Sequence, residues 1–494
     1  MRSAGSQDSR VTGSERWPTR GRAAGGERDR REEIVLRVGA PAHGGHCVAR
    51  PVDGAGGRVV FVRHALPGET VRAVLTDRSA RAWRAETIEV LSASPDRVRS
   101  VWPEADSGGV GGGELGHVAL PAQRTWKQWV LADCLRRIGG QEVAAAVAAL
   151  PEAAATGTVP VEAMPSERAA EASGDSRTRR RAGTGARTRV ALTVTDDGRA
   201  GMHCFRSGRV LPVTHLPLAV SEIRALGLTE RAVWHRRYSP GARVRAVAPG
   251  VGEPVVIISN GSRDRILTAS GHTTGRRRVT EVVDAAGLGL GELRYSLHAE
   301  GFWQVHRDAP AVLVDRVVRA VISAGPTAAG TRVGDGPADR DALAGVRVVE
   351  LYAGAGLLTA PLAVLGARVR SLEGSEQAVR DARRTLHDRA GVDLLAGEVT
   401  PASVEELGRF DPDGVPGADV VILDPPRRGA GRAVVEAVAA LGAGRVVMVS
   451  CDPAAGARDL GIFMGFGYRP VAVSALDMFP HTHHVEVVCV LERG

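Results

Sequence analysis

The sequence predicts an α/β protein. A doubly wound, mostly parallel sheet domain lies at the C-terminal end, behind a small β-barrel and a mixed α+β central domain. Three observations carry this reading. From Val346 onward the chain repeats strand, glycine turn and amphipathic helix. Residues 34–98 alternate apolar and polar side chains at period two between Gly-rich turns. The stretch between mixes β-like runs such as EPVVIISNG with helical runs.

Residues 1–33 are Gly, Arg, Ser and Glu with almost no apolar periodicity, which predicts a disordered tail. They lack the apolar run of a secretory signal. In residues 34–98, the turns His43-Gly44-Gly45, Asp53-Gly54 and Leu66-Pro67-Gly68-Glu69 separate short strands, as in an oligonucleotide-binding barrel. Such barrels present Arg and aromatics like Phe61 to single strands. A purely structural β module fits the periodicity equally well.

Residues 99–323 form the expected central domain. AQRTWKQWVLADCLRRIG reads as a helix, and residues 311–323 as another. About 151–188 is a low-complexity insertion ending in SRTRRRAGTGARTR, read as a solvated loop whose arginines are also suited to phosphates. Residues 324–342 are a Gly/Pro/Asp-rich linker. In the last domain, residues 343–494, VRVVEL, ARVRSLEG, ADVVILDPP, GRVVMVSCD and YRPVAVSALD are the expected strands.

The chain has 494 residues, 44% hydrophobic, with a formal net charge of +8. Positive charge suits a polyanion. However, Lys127 is the only lysine, and such Arg, Ala and Gly enrichment also follows from GC-rich coding. No apolar run of about 18 residues predicts a membrane span. Five scattered cysteines (Cys47, Cys134, Cys204, Cys451, Cys489) argue against a disulfide framework and suit a cytoplasmic location.

Three stretches carry chemistry. Glu350-Leu351-Tyr352-Ala353-Gly354-Ala355-Gly356 follows the first strand of the last domain, where glycines let backbone approach a ligand. It lacks the third glycine of the dinucleotide fingerprint, and no phosphate-binding G-x-x-x-x-G-K-[ST] loop exists. Glu373 ends the second strand, where a carboxylate accepts ribose hydroxyls. That combination fits S-adenosyl-L-methionine better than a dinucleotide. Asp424 ends the strand before Pro425-Pro426, which stiffen the chain. Cys451 sits on the next strand's lip, where it is either a buried structural thiol or a nucleophile. A helix beginning near Pro453 is expected to lower its pKa. Asp477, His481, His483, His484 and Glu486 crowd one segment, but no second ligand cluster supports a metal, and none is expected. Cys489, in VEVVCVL, reads as core.

Together ELYAGAG, LDPPRRGA, VSCDPAAGARDL and LDMFPHTHHVE resemble the bacterial RNA uracil-5 methyltransferase family, over most of the chain. The barrel stretch GGHCVARPVDGAGGRVVFVRHALPGE resembles a TRAM domain, and GFWQVH resembles the family's aromatic-Gln-Val-Asn motif. The resemblance implies a Rossmann-like methyltransferase domain that moves a methyl from S-adenosyl-L-methionine to C5 of a uridine. It implies Cys451 as nucleophile toward C6 and Glu486 as base. Gln304, Tyr352, Glu373 and Asp424 would hold the cofactor, and Gly354 and Gly356 would shape its pocket. The implied partner is RNA, with 23S rRNA first and tRNA as alternative, acted on by a monomer.

The chain also departs from the family. Many members carry C-x5-C-G-G-C for an iron–sulfur cluster. Here the matching stretch, PEADSGGVGGGELGHVALPAQRTWKQ, has no cysteine, so no cluster is expected. His306 replaces Asn, Ala353 a frequent Cys, Leu357 a common Asn, Asp452 an Asn, and Cys47 a Gly of the barrel motif. Two other readings stand beside this one. An N-methyltransferase using DPPRR would leave Cys451 without a covalent role. A non-catalytic RNA-binding or assembly factor would need neither Cys451 nor Glu486.

Overall fold

The computed structural model describes residues 32–494 apart from 55–56, 79–81, 262, 324–337, 340, 412–413 and 415. Most of the expected tail, residues 1–33, and of the linker, residues 324–342, therefore lies outside the described residues. Contacts divide the chain into two compact units: residues up to Ala42 with His46–Arg97, and His43–Gly45 with Val98–Gly494.

The first unit is a closed five-stranded barrel. Its strands are β1 (Glu33–Ala42), β2 (His46–Pro51), β3 (Val60–Arg63), β4 (Thr70–Asp77) and β5 (Trp83–Ser92), in the order β1-β2-β3-β5-β4. Alternation places Leu36, Val60, Val62, Val71 and Ala73 inside. Glu69 is buried as well. Its carboxylate accepts N–H bonds from Leu66 (2.8 Å) and Ser94 (3.1 Å) and pairs with Arg97 (2.6 Å), so a turn and the chain after β5 are clamped by one charge.

The second unit holds three sheets. β7 (Arg189–Val194), β8 (Ala200–His203), β9 (Val210–Pro212), β10 (Arg243–Val247), β11 (Val255–Asn260) and β12 (Arg263–Thr268) form a sheet ordered β12-β11-β10-β7-β8-β9. All its neighbours are antiparallel. β13 (Arg278–Asp284) and β14 (Glu292–His298) form a hairpin.

The largest sheet is eight-stranded. It comprises β6 (Val161–Glu162), β15 (Arg347–Leu351), β16 (Arg368–Glu373), β17 (Val392–Ala396), β18 (Val420–Leu423), β19 (Arg445–Ser450), β20 (Tyr468–Leu476) and β21 (Glu486–Arg493). The order is β17-β16-β15-β18-β19-β21-β20-β6. From β17 to β19 every pair is parallel, and the central strands β15, β18 and β19 are largely Val, Leu and Ile, as burial on both faces requires. β21 alone runs against both its neighbours. Cys489 is core in β21, as its apolar context predicts.

Two features depart from expectation. The insertion 151–188 is not a loop. It supplies β6, which pairs with β20 at the sheet edge, and the helices Pro165–Glu171 and Ser176–Arg180. Local composition hides this because an edge strand of two residues is fixed by its partner, not by its own periodicity. β17 also has no sequence-based counterpart, since VDLLA is too short and half-buried to alternate. Among the described residues no helix is long and apolar enough to cross a membrane.

Candidate active site

Parallel strands deliver their C-terminal ends to one edge of a sheet, where the chain leaves for a helix. Tyr352 follows β15, Glu373 ends β16, Asp424 follows β18 and Cys451 follows β19. Because β21 is antiparallel to β19, its first residue, Glu486, reaches the same edge. Ser450 pairs with Val487, so Cys451 and Glu486 are the next positions on adjoining strands. The fold thus gathers Tyr352, Glu373, Asp424, Cys451 and Glu486 on one edge.

The glycine turn after β15 is tightly built. Tyr352 has φ +63°, a left-handed conformation rare for a side chain of its size, and its N–H donates to the Leu372 carbonyl at 2.9 Å. Gly354 has φ +56°, and a Cβ there would meet nothing within 4 Å, so its backbone faces open space. Gly356 has φ +83°, and a Cβ would come to 3.3 Å from Ala382, so it packs turn against helix. The Glu373 carboxylate accepts the N–H of Gly354 (2.9 Å) and of Ser375 (2.7 Å), which fixes its direction.

Gln304 reaches this region by another route. Thr188 and Arg307 bracket its segment with backbone bonds to Val305 and Ala186, at 2.8 and 2.9 Å. Its neighbour Trp303 packs on Tyr295, ring centroids 5.0 Å apart, and the Tyr295 hydroxyl donates to the Leu357 carbonyl of the glycine turn. No hydrogen bond ties the Gln304 side chain to the other named residues among the described ones. His306 instead of Asn makes a buried pair: Nε2–H donates to Glu167 (2.9 Å), while Nδ1 accepts the Asp308 N–H. That pair binds the insertion helix to the Gln304 segment.

The edge is strongly acidic. Burial raises Glu350 to about 8, with Asp424 and Glu373 adding to the shift; Thr359 donates a hydroxyl to it. Burial, then Glu373, raises Asp424 to about 7. Burial, then Asp424, raises Glu486 well above the usual carboxylate range. These groups share charge at close quarters, and each is harder to ionise for its neighbours.

The expectation that a helix terminus lowers the Cys451 pKa is wrong. Burial pushes the thiol up to about 12, aided by Glu486, Asp424 and Asp452 and opposed by Arg427. The helix Pro453–Gly465 does begin there, but Asp452 caps it, accepting the N–H of Ala454 (3.0 Å) and Ala455 (2.9 Å). The helix's positive end is thus answered by a carboxylate before a thiolate could use it.

The segment from Asp477 to Glu486 is held by residues that local sequence did not single out. The Lys127 ammonium donates to Asp477 and, at 3.0 Å, to the Phe479 carbonyl. Gln123 accepts the His481 N–H at 2.7 Å and donates to its Nδ1 at 3.0 Å. Glu114, His483 and His484 bring one potential ligand atom each within 4.8 Å of one another. Glu114 is already taken by the ring and backbone N–H of His483, and Arg427 donates to His484 Nε2 at 3.0 Å. The group is a closed hydrogen-bond network beside a fixed cation, a poor setting for a metal. Burial lowers His484 to about 3. The one sequence signal for this scaffold is that Lys127 is the only lysine.

These residues fit S-adenosyl-L-methionine. The Gly354 backbone offers an open cradle. Among the described residues the Asp424 carboxylate has no hydrogen-bond donor, and the surrounding acids suit a sulfonium cation.

No protein-family profile matches the chain. An uncharacterized RNA methyltransferase of Bifidobacterium longum is 35% identical over 474 residues, 93% of this chain and 97% of that protein. The 23S rRNA (uracil(1939)-C(5))-methyltransferase RlmD of Alkalilimnicola ehrlichii is 30% identical over 483 residues, 94% of this chain and 97% of that one. Among solved structures, the Pyrococcus abyssi tRNA (uracil-54, C5)-methyltransferase with S-adenosyl-L-homocysteine shares the fold. Its TM-score is 0.55 at 19% identity, covering 93% of this chain and 99% of that one. Fold, strand-end acids and full-length relatives together define an S-adenosylmethionine-dependent RNA methyltransferase. Within that class, the chain belongs to the RNA uracil-C5 methyltransferase family.

Proposed function

We propose that the protein methylates C5 of a uridine in 23S rRNA through a covalent adduct between Cys451 and C6. The observation that carries this reading is the facing of Cys451 and Glu486 across β19 and β21, with Asp424 on the next strand.

Uracil C5 is a weak nucleophile. Cys451 first loses its proton to solvent; attack of the thiolate so formed on C6 makes a C–S bond and moves the ring electrons into an enolate, which makes C5 reactive. S-adenosyl-L-methionine, when bound, supplies the electrophilic methyl. Glu486 then takes the C5 proton, the C5–C6 double bond re-forms, and the C6–S electrons return to sulfur. A buried carboxylate with a raised pKa is a stronger base than a free one, as this step needs. The uridine must leave its stack to reach the sheet edge. Gln304, Tyr352, Glu373 and Asp424 hold the cofactor in this reading, with Gly354 and Gly356 shaping its cradle.

The relatives named for 23S rRNA favour that RNA. The barrel supports RNA binding in its own right: Arg58 and Arg78 lie over the Trp83 ring, at 4.8 and 5.0 Å from its centroid. Residues 103–127 offer no cysteine, so we take the protein to work without an iron–sulfur cluster. The test is transfer of labelled methyl to unmodified 23S rRNA and, separately, to unmodified tRNA, with nucleoside analysis. Label in 5-methyluridine of 23S rRNA that Cys451→Ala abolishes is expected. Label in tRNA alone would move the substrate, and label surviving Cys451→Ala would overturn the mechanism.

A further inference from the structure

We propose that Arg177, Arg179, Arg180 and Arg181 form a docking surface for the phosphates of the substrate RNA, an inference that rests on the RNA reading above. The helix Ser176–Arg180 is short, and all four side chains are exposed. Asp175, the acid beside them in sequence, is spent on the cap: it accepts the N–H of Thr178 at 2.8 Å, its hydroxyl at 2.7 Å, and the N–H of Arg177 at 3.3 Å. Among the described residues none of the four arginines has a carboxylate within ion-pair distance. Nearby Arg124 and Arg189 do, with Glu171 and Glu281. Arg177, Arg180 and Arg181, three and four positions apart, share one face and repel one another, while Arg179 donates to the Ser173 carbonyl and lies in the field of Asp175. A polyanion would offset that repulsion.

The mount is tied to the segment that carries Glu486. The residue after Arg181 is Ala182, whose carbonyl accepts Nε2–H of His481 at 3.2 Å. A Cβ on Gly183 would fall 2.8 Å from that nitrogen and 3.0 Å from Pro480, so the two segments are in close contact. Burial lowers His481 to about 4, which keeps it neutral and directs one nitrogen to Ala182 and the other to Gln123. His481 stands five positions before Glu486 in the sequence. Even fully extended, five residues span at most about 18 Å. The arginines therefore sit on a segment tied to the one that carries Glu486, so that an RNA strand reaching the site can also reach them. Guanidinium groups bring a fixed positive charge to phosphate oxygens, and several such contacts add a salt-dependent term to affinity.

The test compares the full-length protein with two variants, R177Q/R179Q/R180Q/R181Q and R177K/R179K/R180K/R181K. The readouts are binding to unmodified 23S rRNA as a function of salt, methyl-transfer kinetics, and S-adenosyl-L-methionine affinity. At about 0.7 per phosphate contact, the glutamine variant flattens the log–log salt slope by up to about 3. It also raises the KM for RNA about tenfold or more, leaving kcat and cofactor affinity unchanged, while the lysine variant stays near wild type. An unchanged slope in the glutamine variant overturns the surface, as does a lysine variant as weak as the glutamine one. A wild-type protein that yields no 5-methyluridine, yet loses salt slope with the glutamine variant, overturns the reaction and leaves the surface standing.

Discussion

The Lys127 ammonium donates to the Asp477 carboxylate inside the protein, with the lysine side chain wholly shielded from solvent and the aspartate nearly so. The two are 350 positions apart, and the bond joins the helix Leu120–Cys134 to the start of the segment that carries Glu486. Burial lowers the lysine's pKa, and Asp477 pulls it back. Lys127→Met should strand the carboxylate and lower the urea midpoint by an amount worth about 3–5 kcal/mol. Lys127→Met with Asp477→Leu should recover much of it, because a buried pair exchanged for apolar groups is often neutral. A single variant as stable as wild type would mean the pair is no constraint.

Reactivity of the free thiol should follow its surroundings. With Cys451 raised to about 12, its alkylation by iodoacetamide should rise about tenfold per pH unit from pH 7 to 9, since only the thiolate reacts. Glu486→Gln removes a negative neighbour, so it should lower the pKa and speed alkylation at pH 8. A plateau below pH 8 in the wild type would contradict the burial argument.

Loss of the base should stall the reaction at a defined point. In Glu486→Gln the C5 proton stays on and sulfur cannot leave, so a protein–RNA adduct that survives denaturing electrophoresis should accumulate. Turnover should fall by about 10²–10⁴. Unaltered turnover would remove Glu486 from the chemistry.

Cofactor affinity should depend on Glu373, whose carboxylate is aimed by Gly354 and Ser375. Glu373→Gln should weaken S-adenosyl-L-methionine binding by about 1.5–3 kcal/mol, the range for a hydrogen bond to a charged group. Calorimetry with the cofactor alone reads this without RNA, and an unchanged Kd would point to another ribose partner.

The alternation of strand, turn and helix, and the residues at strand ends, are legible in the amino-acid sequence. Both are local: a period of two or 3.6 and a glycine after a strand are written in consecutive residues. The sequence also shows the barrel, whose turns fall on Gly44, Gly45, Gly54 and Gly68, all with positive φ. The remaining features depend on contacts between segments far apart in the chain. That Glu486 faces Cys451 follows from β21 inserting antiparallel beside β19, a register set by packing between distant segments. The Arg-rich insertion gains a strand only because β20 offers an edge. The Cys451 pKa moves opposite to the expected direction because electrostatics adds over neighbours in space. Sequence shows the helix after Cys451, but only the fold brings Glu486, Asp424 and burial around the same sulfur.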